Sequence, residues 1–136
     1  MTRLLFFLLT ILAGVTPVWA SLGDSDERIE DLYGGVVARH LRDDGTVSVY
    51  YHKDRYLFFV IFDKRRSVLE RYSRIDKKEL SPREISRFLK ANAARRAGWT
   101  SGDKSKEPRF ERADHKAEAT YGKVDGNPSL TVKLKS

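Results

Sequence analysis

The run Tyr56-Leu57-Phe58-Phe59-Val60-Ile61-Phe62 is the most apolar stretch beyond the N-terminus. It is rich in aromatic and β-branched residues, the composition of a strand. Its length and the polar turns around it predict the central strand of one small domain. A strand on a sheet with one wet face alternates apolar and polar positions. This one does not alternate, so both its faces call for cover.

The flanking pattern predicts an antiparallel meander. Val36 to Arg42 is extended, Asp43-Asp44-Gly45 is a turn, and Thr46 to His52 returns. With a three-residue loop, Val37, Leu41, Val47, Val49 and Tyr51 share one face. His40, Ser48, Tyr50 and His52 share the other. Lys53-Asp54 then reads as a two-residue turn. That turn sets Tyr51 against Tyr56, Val49 against Phe58 and Val47 against Val60. Tyr56, Phe58, Val60 and Phe62 join the apolar face, and Leu57, Phe59 and Ile61 project from the opposite one. After the polar turn at Asp63–Arg66, Ser67 to Arg74 is a further strand. Two-residue and three-residue loops put opposite faces of Val68, Glu70 and Tyr72 toward the core, so its register stays open.

Two helices frame this meander. Asp24-Ser25-Asp26-Glu27 starts a short one, with Asp24 as the cap and Ile29, Leu32 and Tyr33 as its apolar stripe. Gly34-Gly35 ends it. Leu80-Ser81-Pro82-Arg83-Glu84-Ile85 carries three start signals: a capping box, proline at the first helical position and a hydrophobic staple. Ile85, Phe88 and Leu89 form the buried stripe of that second helix and make it the lid over Tyr56, Phe58, Val60 and Phe62. The helix ends between Asn92 and Gly98, and Trp99 folds the chain back. Thr100 to Pro108 reads as a polar loop. Strands follow at Arg109–Ala113, Lys116–Tyr121 and Ser129–Lys135, separated by turns near Asp114-His115 and at Asp125-Gly126-Asn127-Pro128. The expected fold class is α+β: a short N-terminal helix, a meander packed against one helix, and C-terminal strands that extend the sheet or cover its second face.

The first 20 residues follow a different rule. Met1-Thr2-Arg3 is basic, Leu4 to Val15 is almost wholly apolar, Pro17 breaks the helix, and Val18-Trp19-Ala20 offers a cleavage signal. This is the pattern of a secretory signal peptide cut after Ala20. Proline ends the apolar run short of the about 20 residues a membrane span needs. The expectation is a mature domain over residues 21–136 without a transmembrane helix, exported to the periplasm or secreted.

Composition narrows the chemistry. There is no cysteine among the 136 residues, which removes disulfides, thiolate nucleophiles, thiolate metal sites and a lipidated N-terminal cysteine. His40, His52 and His115 come from separate strands or turns, without the paired spacing of a metal site. No serine sits in a Gly-x-Ser-x-Gly elbow, and no glycine-rich loop opens a helix. Asp24, Asp26, Asp43 and Asp44 are explained by caps and turns. The sequence therefore predicts no enzyme and no cofactor.

The net charge of +7 is unevenly spread. Asp24 to Asp31 is acidic, whereas Lys64 to Arg96 holds twelve bases against Glu70, Asp76, Glu79 and Glu84. Lys64, Arg65 and Arg66 share a turn, and Arg83, Arg87 and Lys90 lie on the outer stripe of the second helix. Together they form the candidate anion- or partner-binding surface. For an exported chain the fitting anion is an envelope polymer or lipid rather than nucleic acid. Charge runs also serve solubility alone, and the acidic first helix docking on the basic region explains the same charges structurally. Leu57, Phe59 and Ile61 form the second candidate, an apolar partner face.

The string Ile29-Glu30-Asp31-Leu32-Tyr33-Gly34, the hairpin, the strand ending Phe62-Asp63, and Leu80-Ser81 through Leu89-Lys90-Ala91-Asn92 resemble a class of small exported bacterial proteins without assigned activity. The helix-then-meander order is similar in architecture to the outer-membrane assembly lipoproteins of the SmpA/OmlA type. The resemblance implies the fold and an envelope setting, with no functional residues to carry over. The resulting expectation is a non-enzymatic protein-interaction module of the bacterial envelope.

Overall fold

The computed structural model describes residues 19–93, 98–102 and 107–135. Most of the expected leader lies outside these residues, as do parts of the second helix's exit and of the loop before Pro108. The element order is α1 (Asp26–Tyr33), β1 (Val36–Leu41), β2 (Val47–Lys53), β3 (Tyr56–Asp63), β4 (Arg66–Arg74), α2 (Pro82–Ala91), β5 (Trp99–Ser101), β6 (Arg109–Arg112), β7 (Ala117–Val124) and β8 (Asn127–Leu134). All strands join one antiparallel sheet in the order β1-β2-β3-β4-β8-β7-β6-β5. The fold is α+β and mostly sheet. No helix among the described residues is long and apolar enough to span a membrane.

The order is symmetric. Each half is a helix followed by a four-stranded meander, and the halves meet where β4 pairs with β8. Both helices open with a capping serine, Ser25 or Ser81. Ile29 and Ile85 sit four residues after these caps, and Leu32-Tyr33 and Phe88-Leu89 sit seven and eight after. The C-terminal strands therefore widen the sheet in its own plane and do not fold over its second face.

Both helices supply the core on one face, where a single lid was expected. Tyr33 of α1 stacks on Phe58 with centroids 4.0 Å apart, and Phe88 of α2 stacks on Tyr72 at 4.2 Å. Ile29, Leu89, Val49, Val60, Leu130 and Val132 belong to the same buried cluster. The α2 capping box forms as its sequence dictates: Glu84 N–H donates to Ser81 Oγ at 3.1 Å, and Ser81 N–H donates to Glu84 Oε1 at 2.9 Å. In α1 the cap is Ser25 rather than Asp24. Asp24 instead accepts from Ser21 N–H at 2.9 Å, closing a turn just before the helix.

Register differs from the sequence reading in two places and is fixed in a third that the sequence left open. The β2–β3 turn is Asp54-Arg55, with Asp54 at φ 56°, so Lys53 pairs with Tyr56 and Tyr51 with Phe58. The slip is two residues, an even number, so every side chain keeps its expected face. In β1 a bulge between Val36 and Ala38 leaves Val37 62% exposed rather than on the core face. In β3–β4 the turn is Lys64-Arg65, and a second bulge follows. Ser67 pairs with Phe62, Leu69 with Ile61, and Val68 is the extra residue. The bulge sends Ser67, Glu70 and Tyr72 inward and Leu69, Arg71 and Ser73 outward.

Trp19 and Ala20, assigned to the leader in the sequence reading, belong to the folded body. Trp19 packs 5.3–5.7 Å from the ring centres of Tyr56, Phe58 and Phe88, and Ala20 is fully buried. In protein that begins at or before this residue, Trp19→Ala should lower unfolding free energy by about 3 kcal/mol through loss of aromatic packing. Urea denaturation followed by circular dichroism measures it, and an unchanged midpoint would place the ring outside the core.

Candidate functional site

The six basic candidates do not form one surface. Lys64, Arg65 and Arg66 lie at the β3–β4 turn, whereas Arg83 and Arg87 line a cleft with Tyr56, at the other end of β3. The seven-residue run between these ends spans roughly 20 Å at strand rise. Arg65 is occupied by α1: its Nε lies 3.3 Å from Asp26 Oδ2 and its Nη2 lies 3.1 Å from Glu27 Oε1. Arg66 donates to Gly23 O at 3.4 Å. These two arginines dock the acidic helix, the structural use that the charge pattern allowed. Lys90 borders a separate apolar groove with Ile85, Leu89, Trp99 and Phe110.

Arg83 and Arg87 stand with Arg55, Arg74, Tyr56 and Trp19 around a cleft of about 820 Å³, which the carboxylates of Asp54 and Glu84 also line. Arg74 is committed to Asp76 at 2.6 Å and to Glu84 at 3.6 Å. Arg55, Arg83 and Arg87 make no ion pair with any described residue.

The outer sheet face holds the second candidate set. Leu57, Phe59 and Ile61 are half-buried, flanked by Tyr50 on β2 and Leu69 on β4. Tyr50 meets Phe59 with ring centres 4.7 Å apart. Both helices pack on the other face, and no described element lies over this one. Arg71 sits at its middle, with its guanidinium carbon 5.0 Å from the Phe59 ring centre. Its Nε donates to Thr131 Oγ1 across β4–β8 at 3.1 Å. Partial burial pushes its pKa down.

The inner face carries a buried acid. Glu70 is 1% exposed. Its Oε1 accepts from Tyr72 Oη at 3.1 Å, and Tyr72 accepts from Asn92 Nδ2 at 2.8 Å. Asn92 Oδ1 accepts from Leu22 N–H at 2.9 Å, so Asn92 is both the helix stop and a buried hydrogen-bonded residue. Ser67 Oγ lies 3.0 Å from Glu70 Oε2 and 3.1 Å from Ser21 O, and accepts from Gly23 N–H at 3.0 Å. A serine hydroxyl has one proton to donate. If Glu70 is ionised, Ser67 and Tyr72 both donate to the carboxylate, while Ser21 O keeps its bond from Asp24 N–H at 3.0 Å. If Glu70 is protonated, its O–H can donate to Ser67 and Ser67 to Ser21 O, so the hydrogen bonds accommodate either state. Burial pushes the Glu70 pKa from 4.5 up to about 7, opposed by the bonds from Ser67 and Tyr72 and aided by Asp24. The strap of residues 20–24 is thus held on the core by a network that runs through Ser67 to Glu70.

Glu70 has no access route among the described cavities, and its partners are all structural. His40, His52 and His115 do not converge: His115 pairs with Glu111, and His52 Nε2 is 3.0 Å from Asp54 O. Among the described residues no group of three acidic or histidine side chains could hold a metal ion. Comparison with protein-family models, curated proteins and solved structures gives no match for this chain.

Sequence reasoning missed Glu70 and Arg71 for one reason. Both directions follow from the bulge at Val68, and nothing in the composition of β4 announces it.

The Glu70 site makes a signed prediction. Its folded pKa of about 7 lies above the ordinary 4.5, so the folded state holds the proton longer. Its stabilising contribution is complete below about pH 4.5 and is lost as pH rises through about 7. Stability should fall by roughly 3 kcal/mol across that window, and Glu70→Gln, which keeps a donor and an acceptor, should flatten the slope. The lowered carboxyls of Asp26, Glu84 and Asp114 titrate below it. Equal slopes for the two proteins in urea titrations at several pH values would contradict the assignment.

Proposed function

We propose that this protein is a non-enzymatic binding module that docks a partner protein on the outer face of its sheet. The supporting observation is the stripe of half-buried Leu57, Phe59, Ile61 and Leu69 with exposed Tyr50 beside it, which no described element covers. An antiparallel sheet can leave one face to water when that face is polar, but here the open face carries an apolar stripe. Two helices of eight and ten residues supply one layer. A partner supplies the other.

Export belongs to the same proposal. The basic start, apolar run and small residues before position 21 support an envelope protein, periplasmic or secreted. A cut after Ala20 would remove the Trp19 ring from Tyr56, Phe58 and Phe88.

A second reading rests on the arginine cleft. Arg55, Arg83 and Arg87, unpaired among the described residues, would suit an anionic envelope polymer or lipid.

One cross-linking experiment separates the two. p-Benzoylphenylalanine is installed in place of Phe59 or of Arg87 in the native host. Docking on the sheet predicts a discrete protein adduct at Phe59 that Leu57→Glu abolishes, with none at Arg87. An adduct at Arg87 alone, or none at Phe59, contradicts the sheet-face reading.

A further inference from the structure

The middle of the outer face carries a cation that feels the Asp125 carboxylate but forms no ion pair with it. Arg71 is half-buried on β4 and makes no ion pair with any described residue. A guanidinium offers five N–H donors, and only Nε has a described protein partner, Thr131. Taking a cation partly out of water costs free energy unless an anion and hydrogen bonds offset it. Here a stack on Phe59 offsets part of that cost, and the remaining donors are left over.

The surroundings specify what would complete the site. Arg71 lines a hollow of about 460 Å³ together with Leu69, Thr120, Thr131, Arg109 and Lys133. The acid beside it, Glu118, is already paired with Lys133 at 3.4 Å. The hollow is therefore cationic, with hydroxyls on one side. Across Arg71 lies the aromatic pair Tyr50 and Phe59. Phe59 and the Thr131 bond hold the guanidinium plane, which is the preparation that two-pronged recognition of a planar anion needs. An acidic side chain next to an aromatic one would meet the cation and the ring pair together.

We propose that the Arg71 hollow is a carboxylate-binding site, receiving an aspartate or glutamate of the docked protein while a neighbouring aromatic residue of that protein packs on Phe59 and Tyr50. The assignment rests on the docking reading above and names the chemistry of its partner.

The test uses blocked dipeptides and two-dimensional NMR of the full described chain. Acetyl-Phe-Asp-amide should shift the amide signals of Phe59, Arg71 and Thr131 saturably. Acetyl-Phe-Asn-amide differs only in the charge and should bind at least about tenfold more weakly, the ratio a charge-assisted hydrogen-bond pair gives. Arg71→Gln should bring the Asp peptide down to the Asn level with the remaining spectrum unchanged. Arg71→Lys should recover only part of the difference, because lysine lacks the planar fork. Equal binding of the two peptides, or binding indifferent to Arg71→Gln, overturns the proposal. So does inorganic phosphate shifting the same signals at lower concentration than the Asp peptide. If the Phe59 cross-link forms while the two peptides bind alike, the docking face stands and the carboxylate assignment falls. If neither occurs, both fall.

Discussion

The fold depends on how two short helices are held. Helices of eight and ten residues are marginal by themselves. Each is fixed by a ring laid flat on a sheet aromatic, Tyr33 on Phe58 and Phe88 on Tyr72. Phe58 and Tyr72 in turn meet edge to face at 5.7 Å, so the two stacks form one aromatic block. Trp19 fills the gap beside it. Both helices are therefore committed to one face of the sheet, and no described element lies over the other.

Strand β4 turns that asymmetry into two chemistries. Adjacent residues point to opposite sides, Glu70 into the core and Arg71 toward the open face. Burial shifts the acid toward its neutral form, and its hydrogen bond with Ser67 helps hold the strap of residues 20–24 in place. The base cannot be neutralised in this way, because a guanidinium keeps its proton. Its cost is offset by ring stacking inside the chain and, in the proposed account, by an anion from outside it. The same strand that joins the two halves of the sheet thus secures the closed face and marks the open one.

Much of this was legible in the sequence where local chemistry decides structure. The Ser81–Glu84 capping box located α2, Gly34 stopped α1, and Asp43-Asp44-Gly45 turned the first hairpin. The lack of alternation in Tyr56–Phe62 identified a strand with two apolar faces, one of them formed by Leu57, Phe59 and Ile61. What failed was non-local. A bulge is one extra residue whose position is set by pairing, and the bulge at Val68 decides which way Glu70 and Arg71 point. The three-residue β5 exists because it pairs with β6 and because Trp99 Nε1 donates to Leu89 O at 2.6 Å. The basic run looked like one surface because sequence distance hides strand direction. A single strand length separates Arg65 from Arg87, and α1 already holds the former.

The central claim is that the described sheet is covered on one side only. Solvent paramagnetic relaxation of methyl groups tests it most directly. With a soluble gadolinium chelate, the methyls of Leu57, Ile61 and Leu69 should relax strongly, while those of Val60, Leu130 and Val132 stay protected. Protection of both sets alike would mean that the chain already covers its outer face, and that no partner is needed there.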